Sequence, residues 1–210
     1  MLRTILITGF GPFPSAPFNP TGPLVRRLAR ARLPAADVTV VPHVFRTSYA
    51  AVDRDLAALL RRHRPDAILM FGLAARTPHL RIETIARNAV AGLADADRRA
   101  PKRRAIAPRR PDRIALPTPA RRLLAAARAA RVPAALSRDA GRYLCNYLCW
   151  RAAEAAKAAG GPRQAAFIHV PLVRRNPQPL RQAARHRVTM ADLMRAGRGL
   201  LRVAATAACR

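Results

Sequence analysis

The stretch AGRYLCNYLC, residues 140–149, contains two cysteines, Cys145 and Cys149, that stand one helical turn apart. A cysteine in such a place can fill core space, bind zinc or act as a nucleophile. A helix is predicted to begin near Tyr143, after a glycine-containing turn, which puts Cys145 in its first turn. Backbone N–H groups and the positive end of the helix dipole stabilise a thiolate there, so the position suits a nucleophile.

Two further residues could complete such a nucleophile. His169 closes the apolar stretch AAFIHVP (165–171), which is predicted to be a strand. Glu83 lies in the alternating stretch LRIETIARN (80–88), where a carboxylate among apolar residues is costly unless it has a partner. In α/β folds, reactive groups gather at the carboxyl ends of strands and at the helix starts that follow. An imidazole that takes the thiol proton and a carboxylate that orients the imidazole would activate Cys145 at neutral pH.

All three residues also have ordinary structural explanations. A cysteine in a helix usually fills core space, and a single histidine at a strand end often makes only structural hydrogen bonds. Glu83 could form a salt bridge with Arg81 or Arg87. A zinc site would need two more ligands close by, and the five histidines show no such cluster. The spacing alone therefore leaves the triad and its structural alternatives open.

The rest of the chain alternates between strand and helix patterns. Apolar or β-branched runs predict strands over 3–8, 37–45, 66–73, 80–88, 113–117 and 165–171. Amphipathic runs predict helices over 22–32, 48–63, 119–131, 143–159 and from Thr189, where Thr189-x-x-Asp192 is typical of a capping box. This order predicts a three-layer α/β/α sandwich, with a mostly parallel twisted sheet, helices on both faces and antiparallel strands between 80 and 117. Pro42 suggests a sheet edge or a bend.

Composition and charge limit the functions that the chain can have. Its 210 residues suit a single domain over 1–210, and because 50% of them are hydrophobic the chain is not expected to be disordered. Lysine and arginine number 39 against 11 acidic residues, which gives a net charge of +28. The basic residues are almost all arginines scattered along the chain, so we expect non-specific nucleic-acid binding at most.

Cysteine count and hydropathy indicate the cytoplasm. Three cysteines, an odd number, without a signal peptide favour free thiols in a reducing compartment. No stretch approaches the ~20 apolar residues of a membrane span. We therefore expect a cytoplasmic protein with no membrane partner.

Four segments of the sequence, taken in order, resemble one known family. They are TILITGFGPFPSAPFNPT (4–21), IETIARN (82–88), DAGRYLCN (139–146) and FIHVP (167–171). Together they resemble the pyroglutamyl-peptidase I (pyrrolidone-carboxylate peptidase) family of cysteine peptidases. That family has a Gly-Phe-Gly-Pro-Phe turn, a Glu-x-x-Ala-x-Asn segment, a segment ending in Cys-Asn and a Phe-Ile-His-Val-Pro segment. The four matches together extend over nearly the whole chain.

The resemblance implies an activity and a set of site residues. It implies a cysteine omega-peptidase that hydrolyses the amide bond after an N-terminal pyroglutamyl residue of peptides, through a thioester acyl-enzyme and without metal or cofactor. Cys145 would be the nucleophile, His169 the general base and Glu83 the orienting acid. The implied substrate-binding residues are Phe10, Phe13, Asn19, Leu73, Tyr143 and Leu144.

The same mapping gives finer expectations for this pocket. Phe10 and Phe13 would flank the flat apolar lactam ring, and Asn19 would brace their loop. The backbone N–H of Cys145 is a natural oxyanion donor. Cys149 has no comparable partner in the sequence, so we interpret it as a core residue, and Cys209 as uninvolved.

The sequence also departs from the family pattern. The stretch GLAART (72–77) lacks the family's paired glycines, Thr84 replaces the usual arginine, and 89–113 is basic where the family is acidic. Two alternatives follow. The chain could be a catalytically weak or inactive member that binds nucleic acid or another polyanion, or a hydrolase of a different N-blocked amide. Related enzymes are often homo-oligomers, so self-association is a further expectation.

Overall fold

The computed structural model describes residues 3–13, 16–31, 37–173 and 188–207, and strands alternate with helices along them. The strands are β1 (Arg3–Phe10), β2 (Val38–Phe45), β3 (Ala67–Leu73), β4 (Leu80–Glu83), β5 (Ile85–Arg87), β6 (Arg113–Ala115), β7 (Ala134–Ser137) and β8 (Gln164–Val170). The helices are α1 (Thr21–Ala29), α2 (Tyr49–His63), α3 (Ala120–Ala129), α4 (Leu144–Lys157) and α5 (Met190–Ala207). No helix within the described ranges is long and apolar enough to cross a membrane.

Six strands form one sheet in the order β2-β1-β3-β8-β4-β7. Neighbouring strands are parallel except for β4 and β8, which are antiparallel. β5 and β6 make a separate antiparallel pair. The predicted mostly parallel sheet with antiparallel strands between 80 and 117 is therefore confirmed.

The single strand predicted over 80–88 is interrupted at Thr84, because this residue connects the two sheets. Its N–H donates to the Ser137 carbonyl (2.8 Å) at the end of β7, whereas its own carbonyl accepts from Leu116 N (3.0 Å) after β6. The sequence does not predict β7, since its residues AALS contain no β-branched side chain. Pairing with β4 holds this stretch extended.

Helices cover both faces of the six-stranded sheet. α1, α3 and α5 pack on one face, where they share a core with Ile5 and Ile7 of β1. α2 and α4 pack on the other face, where the core includes Leu6 of β1. This alternation is the two-residue period of a strand, here with both faces buried. All residues of β3 except Leu73 are buried as well. The predicted three-layer α/β/α sandwich is confirmed.

Local signals place the sheet edge and the last helix as predicted. Pro42 lies in the edge strand β2, where a missing N–H is tolerated. At α5 the capping box is formed, since Asp192 N donates to Thr189 Oγ1 (3.1 Å) and Thr189 N donates to Asp192 Oδ2 (2.8 Å). α1 ends at Ala29, earlier than predicted, and residue 32 of the predicted range lies outside the described residues.

Candidate active site

The residues predicted to act in catalysis lie at or near the carboxyl end of the parallel strands, where β1, β3 and β8 finish. His169 is the penultimate residue of β8, and Cys145 is the second residue of α4. Glu83 also ends its strand, but β4 runs antiparallel to β8 and pairs Glu83 with Phe167. Glu83 therefore lies two residues deeper in the sheet than His169.

Glu83 and His169 are joined by a hydrogen bond between His169 Nδ1 and Glu83 Oε1, which are 2.8 Å apart. The two residues are diagonal neighbours in the β4–β8 ladder, a separation that a long side chain spans. Cys145 lies near the same imidazole, and its interaction with the ring raises the pKa of His169. Since Glu83 engages Nδ1, Nε2 is the ring nitrogen available to the thiol. The three predicted residues thus form one row, called below the Glu83–His169–Cys145 row.

Burial and charge change along this row. Cys145 is partly exposed, His169 is 5% exposed and Glu83 is fully buried. Burial acts to lower the pKa of His169, but the contacts with Cys145 and Glu83 outweigh it and raise that pKa to about 9. Burial likewise acts to raise the pKa of Glu83, yet hydrogen bonds from His169 and a nearby serine, with the charges of His169 and an arginine, hold it below its usual range. These shifts favour the protonated imidazole and the ionised carboxylate.

A second group of contacts also holds the Glu83 carboxylate. Arg81 Nη2 lies 3.2 Å from Glu83 Oε1, and the backbone N–H of Asp139 donates to Glu83 Oε2 (3.2 Å). The same guanidinium donates to Ser137 Oγ (2.7 Å) and to the Asp139 carbonyl. The salt bridge with Arg81, considered above as an alternative explanation of Glu83, is therefore present together with the histidine bond. Arg87 pairs instead with Asp139, with Nε 3.7 Å from Oδ1.

Sequence reasoning missed Ser137 and Asp139 as site neighbours, and it considered Arg81 only as an alternative partner of Glu83. For Arg81 a signal existed, because residues two apart in a strand point to the same face, and Arg81 precedes Glu83 by two. No local pattern marks Ser137 or Asp139, whose contacts with Arg81 and Glu83 span 56 residues of sequence. Only the pairing of β4 with β7 brings them together.

A glycine opens the space that the thiol occupies. A Cβ at Gly72 in β3 would lie 2.8 Å from Cys145 Sγ and 2.6 Å from Phe167 Cζ, so a larger residue would displace one of them. The stretch GLAART (72–77) thus retains the glycine that this packing requires, although it lacks the family's paired glycines. Before α4, Gly141 has φ +80°, a left-handed conformation that favours glycine in the turn leading to Cys145.

A cavity of about 380 Å³ opens beside Cys145 and His169. Its lining includes every residue that the resemblance assigned to substrate binding: Phe10, Phe13, Asn19, Leu73, Tyr143 and Leu144. The lining also contains charged residues that sequence reasoning did not place there: Arg76, Arg81, Asp139 and Arg142. The cavity therefore combines apolar walls with a cationic part.

The loop that carries Phe10 and Phe13 is held by Asn19 and Thr21. Asn19 Nδ2 donates to the Gly11 carbonyl (3.2 Å), and Thr21 Oγ1 donates to Asn19 Oδ1 (2.8 Å). The Phe10 N–H in turn donates to Thr21 Oγ1 (2.9 Å). Asn19 and Thr21 are both buried, so these bonds satisfy groups that water does not reach. Asn19 makes the bracing contacts that the resemblance implied for it.

Cys149 has the surroundings of a core residue. It is a fully buried free thiol in the layer formed by α2 and α4. Burial raises the pKa of this thiol well above its usual range, as does the nearby Cys145. Cys209 lies outside the described residues. In the part of the chain that the structure describes, no group of three or more His, Cys, Asp or Glu could hold a metal ion.

Residues 89–113, called here the basic segment, contact two residues that line this cavity, Arg142 and Tyr143. Tyr143 Oη donates to the Ala94 carbonyl (3.0 Å), and the Ala91 N–H donates to the Arg142 carbonyl (2.6 Å). The basic side chains of the segment are exposed and form no ion pair with any described residue: Arg98, Arg99, Lys102, Arg103, Arg104, Arg109, Arg110 and Arg113.

The chain matches known proteins over most of its length. The profile of the pyroglutamyl peptidase family matches residues 3–198. The chain is 34% identical over 187 residues to the pyrrolidone-carboxylate peptidase of Cupriavidus pinatubonensis, covering 88% of this chain and 83% of that protein. It is 30% identical over 170 residues to the pyrrolidone-carboxylate peptidase of Thermococcus onnurineus, covering 80% of this chain and 84% of that protein.

A solved structure gives the same result. The pyrrolidone carboxyl peptidase from Thermococcus litoralis superposes with a TM-score of 0.87 at 27% identity, covering 98% of this chain and 94% of that one. Fold and sequence together define a cysteine peptidase. The chain belongs to the pyroglutamyl peptidase family, whose members act on peptides with an N-terminal pyroglutamate.

Proposed function

We propose that this peptidase works through Cys145 as nucleophile, His169 as general base and acid, and Glu83 as the carboxylate that orients the imidazole. The observation that carries the proposal is the row that runs from buried Glu83, through its hydrogen bond with His169, to Cys145, with His169 and Cys145 lining the cavity. A bonded carboxylate fixes the ring orientation and stabilises the imidazolium. The elevated pKa of His169, about 9, is what an imidazole between a thiolate and a carboxylate requires.

The reaction has two halves. The Cys145 thiolate attacks the carbonyl carbon of the amide bond that follows the pyroglutamyl residue. A C–S bond forms while the π electrons of this carbonyl move to its oxygen. The tetrahedral intermediate then collapses, the C–N bond breaks, and His169 gives its proton to the departing amine nitrogen. Water attacks the resulting thioester and passes a proton to His169. The C–S bond breaks, which releases pyroglutamic acid and restores the thiolate.

The start of α4 is suited to stabilise the negative oxygen of both intermediates. The first N–H groups of a helix have no acceptor in a preceding turn. The N–H of Cys145 belongs to this first turn, and it moves with the thiol that attacks the carbonyl. Donors placed where charge develops are worth ~10²–10³-fold in rate.

The apolar part of the cavity suits a pyrrolidone ring. The ring is flat and uncharged, and Phe10, Phe13 and Tyr143 offer aromatic surfaces for it, with Leu73 and Leu144 completing the apolar lining. The rings of Phe13 and Tyr143 have centroids 6.4 Å apart, close enough for mutual contact.

Hydrolysis of a pyroglutamyl chromogenic amide tests this proposal. Cys145→Ser should lower kcat/KM by at least ~10³-fold, because an alcohol with this imidazole is a far weaker nucleophile. Cys149→Ala is the matched control, one helical turn away, and should retain activity with a small loss of stability. Full activity of Cys145→Ser would contradict the triad. A panel of other N-blocked amides tests the alternative specificity, since faster hydrolysis of another amide would assign the cavity to that ring.

A second candidate function is non-specific association with polyanions. It is favoured by the net charge of +28 and by the exposed, unpaired cations of the basic segment. Phosphate neutralisation releases counterions, so binding should weaken steeply with salt and should not distinguish sequences. Fluorescence anisotropy with two unrelated oligonucleotides between 50 mM and 200 mM NaCl checks both points. Weak, salt-independent binding would exclude this function.

We further propose a cytoplasmic location, because Cys145 and Cys149 are both free thiols, as expected in a reducing compartment. Self-association is a separate proposal, based on the resemblance alone. Light scattering during size exclusion measures it directly, and a monomer at micromolar concentration would contradict it.

A further inference from the structure

The cavity carries more positive charge than a neutral lactam ring can use. Four charged side chains line it in addition to the Cys145–His169 pair, and three of them are arginines: Arg76, Arg81 and Arg142. Arg81 is balanced by its salt bridge with Glu83. Asp139, the single carboxylate among the four, is engaged elsewhere.

Asp139 does not neutralise the remaining arginines. Its Oδ1 accepts from the Gly141 N–H (3.0 Å) and lies 3.7 Å from Arg87 Nε. Arg76 and Arg142 are exposed, and neither side chain forms a hydrogen bond or ion pair with any residue that the structure describes. Two unpaired guanidinium groups are therefore available to a ligand in the cavity.

The two arginines come from two different segments of the cavity wall. Arg142 is in the loop that leads into α4 and stands three residues before Cys145, next to the pocket residue Tyr143. Arg76 follows β3 and stands three residues after Leu73, another lining residue. The pyrrolidone ring takes the apolar part of the cavity, so the rest of the substrate must leave through the exposed part, where these two arginines lie.

We propose that Arg76 and Arg142 bind a carboxylate of the leaving peptide, so that pyroglutamyl peptides with negative charge just after the scissile bond are preferred. This inference rests on the proposed peptidase function. Guanidinium groups recognise carboxylates by paired N–H donors, which a lysine or a bare positive field does not reproduce. The carboxylate can come from a Glu or Asp side chain, or from the free C-terminus of a pyroglutamyl dipeptide.

The expected preference is modest because both arginines are exposed. One exposed charge pair changes a binding equilibrium by about 1.5- to 5-fold, so two arginines should favour an acidic substrate by about 2- to 25-fold in kcat/KM. Salt should reduce the preference, since the screening length falls from about 10 Å at 0.1 M to about 3 Å at 1 M ionic strength. The lactam contacts should change little with salt.

Two matched substrate pairs test the proposal. The first pair is pyroglutamyl-Glu-Ala-amide and pyroglutamyl-Gln-Ala-amide, which differ by a side-chain charge. The second is pyroglutamyl-Ala and pyroglutamyl-Ala-amide, which differ by a terminal carboxylate. Release of the free amine gives kcat/KM for each at low salt and at 1 M NaCl. Preference within the first pair identifies a side-chain carboxylate as the ligand, and preference within the second identifies the C-terminus.

Variants separate a specific site from the general positive field. Arg76→Gln combined with Arg142→Gln should bring both ratios close to 1, whereas Arg76→Lys with Arg142→Lys should retain part of the preference. Arg121→Gln, an exposed arginine on α3 outside the cavity lining, is the control and should leave the ratios as in the wild type.

Three outcomes decide between the inferences. The carboxylate site is overturned if the wild-type kcat/KM ratios of both substrate pairs are near 1, or if Arg121→Gln changes them as much as the cavity variants do. Either result leaves the peptidase proposal intact. No hydrolysis of any of the four substrates overturns the peptidase proposal, and the carboxylate site with it. A preference that is sensitive to salt and is lost only in the cavity variants supports the site.

Discussion

The Glu83–His169–Cys145 row reaches the cavity, and the basic segment contacts two residues that line it, but the two regions are built in opposite ways. The row takes its side chains from β4, β8 and α4, and Glu83 and His169 are buried and bonded to each other. The basic segment contains no helix or strand between residues 88 and 112, and its basic side chains face solvent. We therefore expect a change in the row to affect the proposed chemistry directly, and a change in the segment to act only through backbone position or long-range charge.

The segment nevertheless has a defined path, because a few buried or partly buried polar side chains bind its backbone. Asn88 Nδ2 donates to the Ala107 carbonyl (2.7 Å), and its Oδ1 accepts from Ala107 N (2.8 Å). Asp95 accepts from three backbone N–H groups, one of them from Tyr49 at the start of α2 (3.0 Å). Asn146 on α4 donates to the Ala89 carbonyl (2.9 Å). Such anchors leave the exposed positions between them free to change charge.

The largest effect is expected for Glu83→Gln. The variant removes the carboxylate that orients His169, and kcat/KM should fall by about 10²–10⁴-fold. It also removes one group that raises the pKa of His169 to about 9, so the alkaline limb of the pH–rate profile should move to lower pH. A profile of kcat/KM between pH 5 and 10 measures both.

Stability gives a second readout for the same change. The folded-state pKa of His169 lies above its ordinary value, so the protonated ring stabilises the fold fully below about pH 6.5 and loses this effect as pH rises through about 9. Glu83→Gln should weaken that dependence. Glu154→Gln on α4, whose carboxylate pairs with Arg151, is the control and should keep the wild-type activity and profile. An unmoved alkaline limb in Glu83→Gln would assign the titration to another group.

Gly72→Ala should have the next largest effect. The added Cβ would lie 2.8 Å from Cys145 Sγ, and the thiol would have to move. A displacement of about 1 Å in a reacting group lowers activity by about 10²-fold. Gly92→Ala, in the basic segment, places its Cβ where no atom lies within 4 Å and should leave activity nearly unchanged. Equal losses in the two variants would contradict the difference between the two regions.

Strand and helix patterns predict most of the frame that holds the row. The continuous apolar run of β3, the alternating strand that contains Glu83 and the apolar strand ending at His169 each follow from hydrophobic period, since burial on one or both faces determines which residues are allowed. The spatial arrangement of Glu83, His169 and Cys145 does not follow from the hydrophobic period of the sequence. The antiparallel pairing of β4 with β8 sets it, and β4 is only four residues long.

The surroundings of the row were predictable only in part. The apolar pocket residues followed from a resemblance in short motifs, and all of them line the cavity. Arg81 could have been placed by strand alternation, but Ser137 and Asp139 depend on β7, which is too short and alanine-rich to be seen in the sequence. Long-range hydrogen bonds of this kind arise from topology, and no local pattern encodes them.

A smaller effect is expected when an anchor of the basic segment is removed. Asp95→Ala removes a buried carboxylate and leaves three backbone N–H groups without their acceptor, at about 1–3 kcal/mol of stability. For a chain of this size the Tm should fall by roughly 2–10 °C, while kcat/KM should fall by less than about ten-fold because the row is intact. Thermal unfolding and the chromogenic assay measure the two. Asp112→Ala, which removes an exposed carboxylate of the same segment, is the control. It should change the Tm and kcat/KM much less than Asp95→Ala does.

The smallest effect is expected for the combined variant Arg103→Gln and Arg104→Gln. Both side chains are exposed and make no ion pair with a described residue, and substitutions at such positions change stability by about 0.5 kcal/mol or less. Because the pyroglutamyl chromogenic amide is uncharged, loss of distant positive charge should change its kcat/KM by less than about two-fold. Affinity for oligonucleotides should fall in the same variant, since fewer phosphates are neutralised. A ten-fold loss of peptidase activity, with an unchanged Tm, would mean that charges of the basic segment act on the reaction itself, and the two regions could no longer be treated as separate.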